Sequence, residues 1–296
     1  MIPRTDGAAL LLLAAGCAAV PPAAGPAVAA VPATPAVPSA PVPAAAFRIE
    51  GDAVQGGLIR GAAPEGAVAV TLDGVPLPLA DGRFILGFDR DAPPEATLTA
   101  RFADGDTLVL PIAVAPRAWD VSRLSTLPRY PVPAPAFARL RPPELAAIEA
   151  ARRRATDATG WRQAMIWPTT GRISTRFGSQ RIYRNGEAGA YHSGIDIARP
   201  AGTPVVAPAD GIVVLAADHP FTLEGNLLMI DHGMGLGSAL LHLSRIDVAV
   251  GDHVRQGHPV GLVGATGRAT GAHLHWGLRW RDARLDPLLA AGTMPS

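Results

Sequence analysis

A single cysteine, Cys17, in 296 residues excludes an intramolecular disulfide framework and any cysteine-rich metal site. Aromatic residues make up only 5% and charged residues only 17%. Neither charge sign is in excess: 26 Lys+Arg stand against 25 Asp+Glu, a formal charge of +1. Nucleic-acid binding usually shows as a basic surplus, so a nucleic-acid partner is not expected. No apolar run approaches the roughly 20 residues that a membrane-spanning helix needs. Histidine is absent before position 192, and all eight fall between His192 and His275. Histidine chemistry, if present, is confined to the last third.

What is abundant is glycine (32), proline (30) and apolar residues (48%). That mixture suits β structure with many turns plus unstructured linker, and the length suits about two domains. The fold class expected is mainly β.

The chain opens with Arg4 and the short apolar run Ala8 to Gly16, which reads as an export signal. Its end, LLLAAGC, resembles a bacterial lipobox, which implies lipidation of Cys17 and places 1–17 as a signal segment. Residues 18–46 contain only Ala, Pro, Val, Gly, Ser and Thr, and eight of these 29 are proline. Such density excludes a helix and predicts a disordered, extended tether. An exported protein of the periplasm or outer membrane follows, touching membrane only through the lipid anchor.

From 47 to 117 the pattern has period two. Asp73-Gly74, Asp81-Gly82 and Asp104-Gly105 separate alternating apolar runs, a strong hairpin signal. A small Ig-like β-sandwich is expected, with no reactive polar cluster. Lying ahead of the histidine-bearing region, it is a candidate for intramolecular regulation. Residues 118–160 read as a connector. Its one helix is predicted to start after Pro142-Pro143, with Glu144 at its positive end and Arg152 to Arg154 as a solvated negative end. Residues 161–296 return to short strands divided by glycine turns, an antiparallel β domain.

Within that domain, His192 and Asp196 lie four apart in HSGIDI, His273 and His275 two apart in HLHWGLRW, and His242 in SALLHLS. On strands these spacings turn each pair to one face while Leu274, Trp276 and Leu278 pack the other. His242 is expected on an alternating strand, with Leu241 and Leu243 opposite. Two histidines and an aspartate are a standard three-ligand set for catalytic zinc with a fourth position open, and the two remaining histidines would transfer protons; the spacing alone equally fits surface or core histidines that bind no metal.

Four blocks in order, YHSGIDIARPAGTPVVAPADGIVV, GNLLMIDHGMGLGSALLHLS, VAVGDHVRQGHPVGLVGATGRATGAHLHWG and LDPL, resemble the lysostaphin/LytM-type zinc metalloendopeptidases. The resemblance spans about 165–290. It implies an antiparallel β catalytic domain with a groove across the sheet, one bound zinc, and hydrolysis of peptide bonds in peptidoglycan cross-links or stem peptides. It also implies His192, Asp196 and His275 as zinc ligands, and His273 and His242 as the catalytic pair. Members lacking ligands act as amidase activators; here all five positions are filled. Ser238, Leu240 and Ala272 depart from the family pattern without touching a ligand. Arg181 and Asn185, in FGSQRIYRNGE, are candidates to line the groove. His232 reads as a turn residue, and His219, His253 and His258 as loop residues outside the site.

Overall fold

The backbone of the amino-terminal third follows from its turns. In the computed structural model, which describes residues 46–124 and 135–295, Asp73-Gly74 and Asp81-Gly82 each take two successive positive φ angles. That is the geometry of the tight hairpin turn matching strand twist, and Asp and Gly adopt it most readily. The strands so connected are β1 (Arg48–Glu50), β2 (Leu58–Ala62), β3 (Ala67–Leu72), β4 (Val75–Leu77), β5 (Arg83–Gly87), β6 (Glu95–Phe102) and β7 (Thr107–Ala113). They pair as two antiparallel sheets, in the orders β1-β2-β5 and β4-β3-β6-β7. In β6 the alternation is clean: Ala96, Leu98 and Ala100 are buried. The expected signal and lipobox (1–17, with Cys17), the tether up to residue 45 and residues 125–134 of the connector lie outside the described residues.

The connector holds β8 (Val121–Arg123) and α1 (Pro135–Arg152). The helix begins nine residues before the predicted start and carries Pro142 and Pro143 inside it. Proline costs interior helical hydrogen bonds, so local preference alone does not build this element. Tertiary contacts hold it. Arg141 grips Glu224 with two nitrogens, at 2.6 and 2.8 Å, and reaches Glu144 at 3.2 Å. Glu144, mid-helix rather than at the positive end, accepts hydrogen bonds from Thr222 N and Oγ1. Ile148 and Ala151 then bury against Val214, Leu215, Phe221, Leu227 and Met229.

The remaining strands are β9 (Arg172–Thr175), β10 (Gln180–Ile182), β11 (Ile195–Ala198), β12 (Pro204–Val206), β13 (Gly211–Ala216), β14 (Asn226–Gly233), β15 (Leu236–Leu243), β16 (Arg245–Ile246), β17 (His253–Val254), β18 (Pro259–Leu262), β19 (His273–Trp280) and β20 (Ala283–Leu285), closed by the short helix α2 (Pro287–Ala291). Among the described residues the main sheet is antiparallel, in the order β17-β13-β14-β15-β19-β11-β9, with β20 paired to the end of β19. Strand β19 is its axis. Leu274, Trp276, Leu278 and Trp280 are buried on one face, Trp276 packing edge-on to Trp167. The other face carries the histidines.

The two regions expected to fold in succession share one hydrophobic core, running from Leu58 and Phe84 through to Trp280 and Leu285. Polar latches cross the same junction. Arg60 donates to the Trp161 carbonyl, Arg90 to the Gly178 carbonyl, and Arg117 pairs with Asp286 at 2.8 Å. Among the described residues no helix is long and apolar enough to cross a membrane.

Candidate metal centre

Strand register assembles the centre. In the β11–β19 pairing Asp196 stands directly opposite His275, and Ala198 opposite His273. Directly opposed side chains lie about 4.5–5.5 Å apart at Cβ, so carboxylate and imidazole meet without long-range adjustment. His192 joins them from outside the strand. It lies in the loop before β11, not on a strand, but its backbone is pinned by hydrogen bonds with Gly178 and Ser179. Gly194 lets that loop pass close to β19. A Cβ there would come within 2.3 Å of the Trp276 carbonyl oxygen and 2.7 Å of His275 Nε2.

Three donor atoms converge. His192 Nε2 lies 3.0 Å from Asp196 Oδ1, His275 Nδ1 lies 2.9 Å from the same oxygen, and the two nitrogens are 3.0 Å apart. His192 Nδ1–H donates to the Arg176 carbonyl at 3.2 Å, which leaves the electron pair of Nε2 facing the other two groups. Donors bonded to one tetrahedral zinc at 2.0–2.1 Å stand about 3.3 Å apart. A mixed imidazole–carboxylate set at 2.9–3.0 Å fits that ion with a slight opening of the triangle.

The two further histidines border this triangle. His273 Nδ1–H donates to the Gly271 carbonyl, and its Nε2 lies 3.7 Å from Asp196 Oδ1. His242 Nδ1–H donates to the Thr266 carbonyl at 2.8 Å, and its ring centre is 4.7 Å from that of His273. In both rings the anchored Nδ1 leaves Nε2 as the edge that can exchange a proton. His242 arrives by a different route from the predicted one. Along β15, Leu236, Ser238 and Leu240 face the core, while Leu241 stands opposite His275 on the histidine face. Strict alternation would therefore bury His242 on the wrong side. A left-handed backbone at His242, φ 65°, turns the ring across. Leu241 thus shares the face with the histidines instead of opposing His242.

Electrostatics follow burial. Desolvation alone would raise Asp196, but its close contacts with the His192 and His275 rings outweigh it and hold the carboxyl well below the usual range. Burial pushes His242 down to about 4 and lowers His275 also. All four side chains around the triangle keep some exposure, from 10% at His275 to 20% at His192, so solvent reaches the centre.

Other expected residues fall elsewhere. Arg181 and Asn185 are exposed on a hairpin closed by Tyr183–Glu187 bonding, and neither lines the cavity that reaches His275. His232 is a buried residue of β14, not a turn residue. It donates from Nδ1 to the Asp210 carbonyl and accepts the Ser238 hydroxyl, which in turn accepts Trp276 Nε1–H. His253 lies in β17 rather than a loop. Tyr191, next to His192, donates to Asp89 at 2.8 Å and is pushed up to about 12, chiefly by burial. The positioning carbonyls of Arg176 and Thr266 carry no sequence signal, because every residue has a carbonyl.

The segment that carries these residues is similar to known proteins. Residues 190–287 match the model of peptidase family M23. The peptidoglycan DD-endopeptidase ShyA of Vibrio cholerae is 41% identical over 125 residues, which is 42% of this chain and 29% of that protein. The DD-carboxypeptidase/endopeptidase Mpg of Neisseria meningitidis is 40% identical over 124 residues, 42% of this chain and 28% of that one. The chain thus spans less than a third of the length of these curated relatives. A crystal structure of a candidate M23 peptidase from Pseudomonas aeruginosa is similar over 81% of this chain and 96% of its own, at 31% identity and a TM-score of 0.63. On that breadth of likeness, carried by the same segment that holds the three converging donors, the chain belongs to peptidase family M23.

Proposed function

We propose that this chain is an exported, zinc-dependent endopeptidase that hydrolyses peptide bonds in peptidoglycan cross-links or stem peptides. The observation that carries the reading is the convergence of His192 Nε2, Asp196 Oδ1 and His275 Nδ1 at 2.9–3.0 Å, beside two histidines anchored through Nδ1. Likeness to proteins named as peptidoglycan endopeptidases supports the substrate class.

In this reading His192, Asp196 and His275 hold the ion. Zinc bound there would polarise the scissile carbonyl and make water nucleophilic near neutral pH. His242, its pKa pushed down to about 4, is unprotonated at neutral pH and can take a proton at Nε2. His273, with Nδ1–H tied to Gly271, presents its own Nε2 beside Asp196 and can carry a proton to the leaving amine. The motifs contribute no serine or cysteine nucleophile, so hydrolysis proceeds without an acyl-enzyme.

Incubating purified sacculi with the zinc-loaded protein tests the reading. Soluble muropeptides should appear, mass spectrometry should identify one bond cut, and His275→Ala should release none. Sacculi left intact by a protein that carries zinc would overturn it. The export signal and the lipid on Cys17 belong to the same proposal, and the mass of the mature amino-terminal peptide checks them. Regulation by residues 47–117 is proposed on one contact: Pro78 lines the cavity that reaches His275. Pro78→Gly should then cleave faster, and an equal rate would remove that role.

A further inference from the structure

The cavity beside the metal centre has an unusual far end. It holds about 520 Å³ and extends from His275 and Ser193 along the sheet face, under the carboxyl-terminal end of α1. Its lining includes six arginines against two carboxylates, Glu224 and Asp231, a local formal charge of +4. The whole chain carries only +1, so the positive charge is concentrated here. Both carboxylates are already engaged. Glu224 is gripped by Arg141, and Asp231 accepts from Thr156 N and Oγ1.

The arginines come from two places far apart in sequence. Arg152 ends α1 and Arg153 and Arg154 follow it directly, while Arg279, Arg281 and Arg284 belong to the β19–β20 hairpin. The first three are exposed, as expected of a solvated helix end, and they also rim the cavity. Arg279 and Arg284 are directly opposed across that hairpin. Like charges facing each other across strands destabilise a sheet. Burial lowers the Arg152 guanidinium, and the charges of Arg279 and Arg284 lower it further. Of the nearby acids, half-buried Asp89 is taken up by Tyr191 Oη and Arg284 N, Asp282 meets Arg279 from a fully exposed position, and Glu149 meets Arg152 with half its side chain exposed. A cluster of cations, partly desolvated and short of internal counter-charge, is stabilised by an external anion.

Position says which anion. Arg279 follows His275 by four residues on the same face of β19, a separation of roughly 13 Å. An extended peptide covers that distance in about four residues. The floor between them is small or apolar, with Ala239, Leu241 and Gly277, and suits backbone and short side chains. We propose that the arginine-rimmed end of the cavity is a carboxylate subsite, which takes a free terminal carboxylate of the substrate peptide about four residues from the bond that is cut. This rests on the peptidase reading above. The planar guanidinium fork matches a carboxylate with two parallel hydrogen bonds.

The test uses a synthetic cross-linked peptide dimer made twice, with free terminal carboxyls and with the same termini as carboxamides. Values of kcat/KM are measured on the zinc-loaded full chain, and Kd on its zinc-loaded His273→Ala variant. The acid form should bind and react at least about tenfold better, mostly through KM. Arg279→Gln with Arg284→Gln should bring the acid-to-amide ratio near one, and Arg152→Gln alone should lower it if the double variant fails to fold. Arg245→Gln, an exposed arginine paired with Asp247, should keep it. A ratio near one in the unmutated protein, or a ratio unchanged in folded arginine variants, overturns the subsite. Cleavage of both dimers at equal rates would do so while leaving the peptidase reading intact. Preferential binding of the acid with neither dimer cut would sink the peptidase reading and keep the subsite.

Discussion

At the scale of single residues, the most informative is His242. Its ring enters the site only because the backbone adopts φ 65°, a region that costs a non-glycine residue on the order of 1–3 kcal/mol. Glycine relieves that cost, and loss of the hydrogen bond to Thr266 returns about 1 kcal/mol of it. Strain relief less the lost hydrogen bond leaves a gain of about 0–2 kcal/mol, which the packing lost with the buried ring offsets, so His242→Gly should change unfolding free energy by no more than about 2 kcal/mol while slowing hydrolysis by about 10²–10⁴-fold. Urea titration beside sacculus assays checks the split; a collapse of stability equal to the collapse in rate would refute it. Buried histidines also set an acid limit. His232, His242 and His275 are held neutral by burial, whereas the unfolded chain protonates them below their ordinary value of 6.5. The unfolded state then binds more protons, so stability is full above about pH 6.5 and falls as pH drops towards 4. For the metal-stripped protein, His242 alone accounts for up to roughly 2 kcal/mol between pH 7 and 5, read by urea midpoints at each pH. Midpoints flat across that range would contradict the burial argument.

At the scale of elements, α1 and β15 show where local pattern and tertiary contact part company. Prolines at 142 and 143 point to a helix starting after them, and the residue before a proline ordinarily avoids helical geometry. The helix nevertheless runs through them, because Arg141 and Glu144 bind Glu224 and Thr222 at distant positions in the chain. Arg141→Ala should release that anchor, at a cost of about 2–4 kcal/mol for a largely buried pair left without its partner. Amide exchange should rise first in residues 135–143, ahead of the main sheet. Uniform exchange across the chain would mean that α1 stands on its own propensity. In β15 the apolar alternation is legible in SALLHLS, but the residue that breaks it is not, since nothing in the composition marks a left-handed histidine.

At the scale of the whole molecule, residues 47–117 and the histidine-bearing sheet are joined by one core and by Arg60, Arg90 and Arg117. Unfolding residues 47–117 would expose Trp280 and Leu285, so the two regions should melt together. Tryptophan fluorescence and far-ultraviolet circular dichroism should give coincident urea transitions, and two separated transitions would show independent domains. Local sequence was enough for the strands, through period-two burial; the hairpins, through Asp-Gly; and the histidine-bearing blocks, through residue types at short spacing. Those features depend on neighbours within a few positions. Tertiary structure alone decided four others: His192 acting from a loop, the turned ring of His242, the helix carried through two prolines, and the six arginines gathered at one end of a cavity. Each of these depends on groups tens to more than a hundred positions apart, and no local pattern encodes a meeting of that kind.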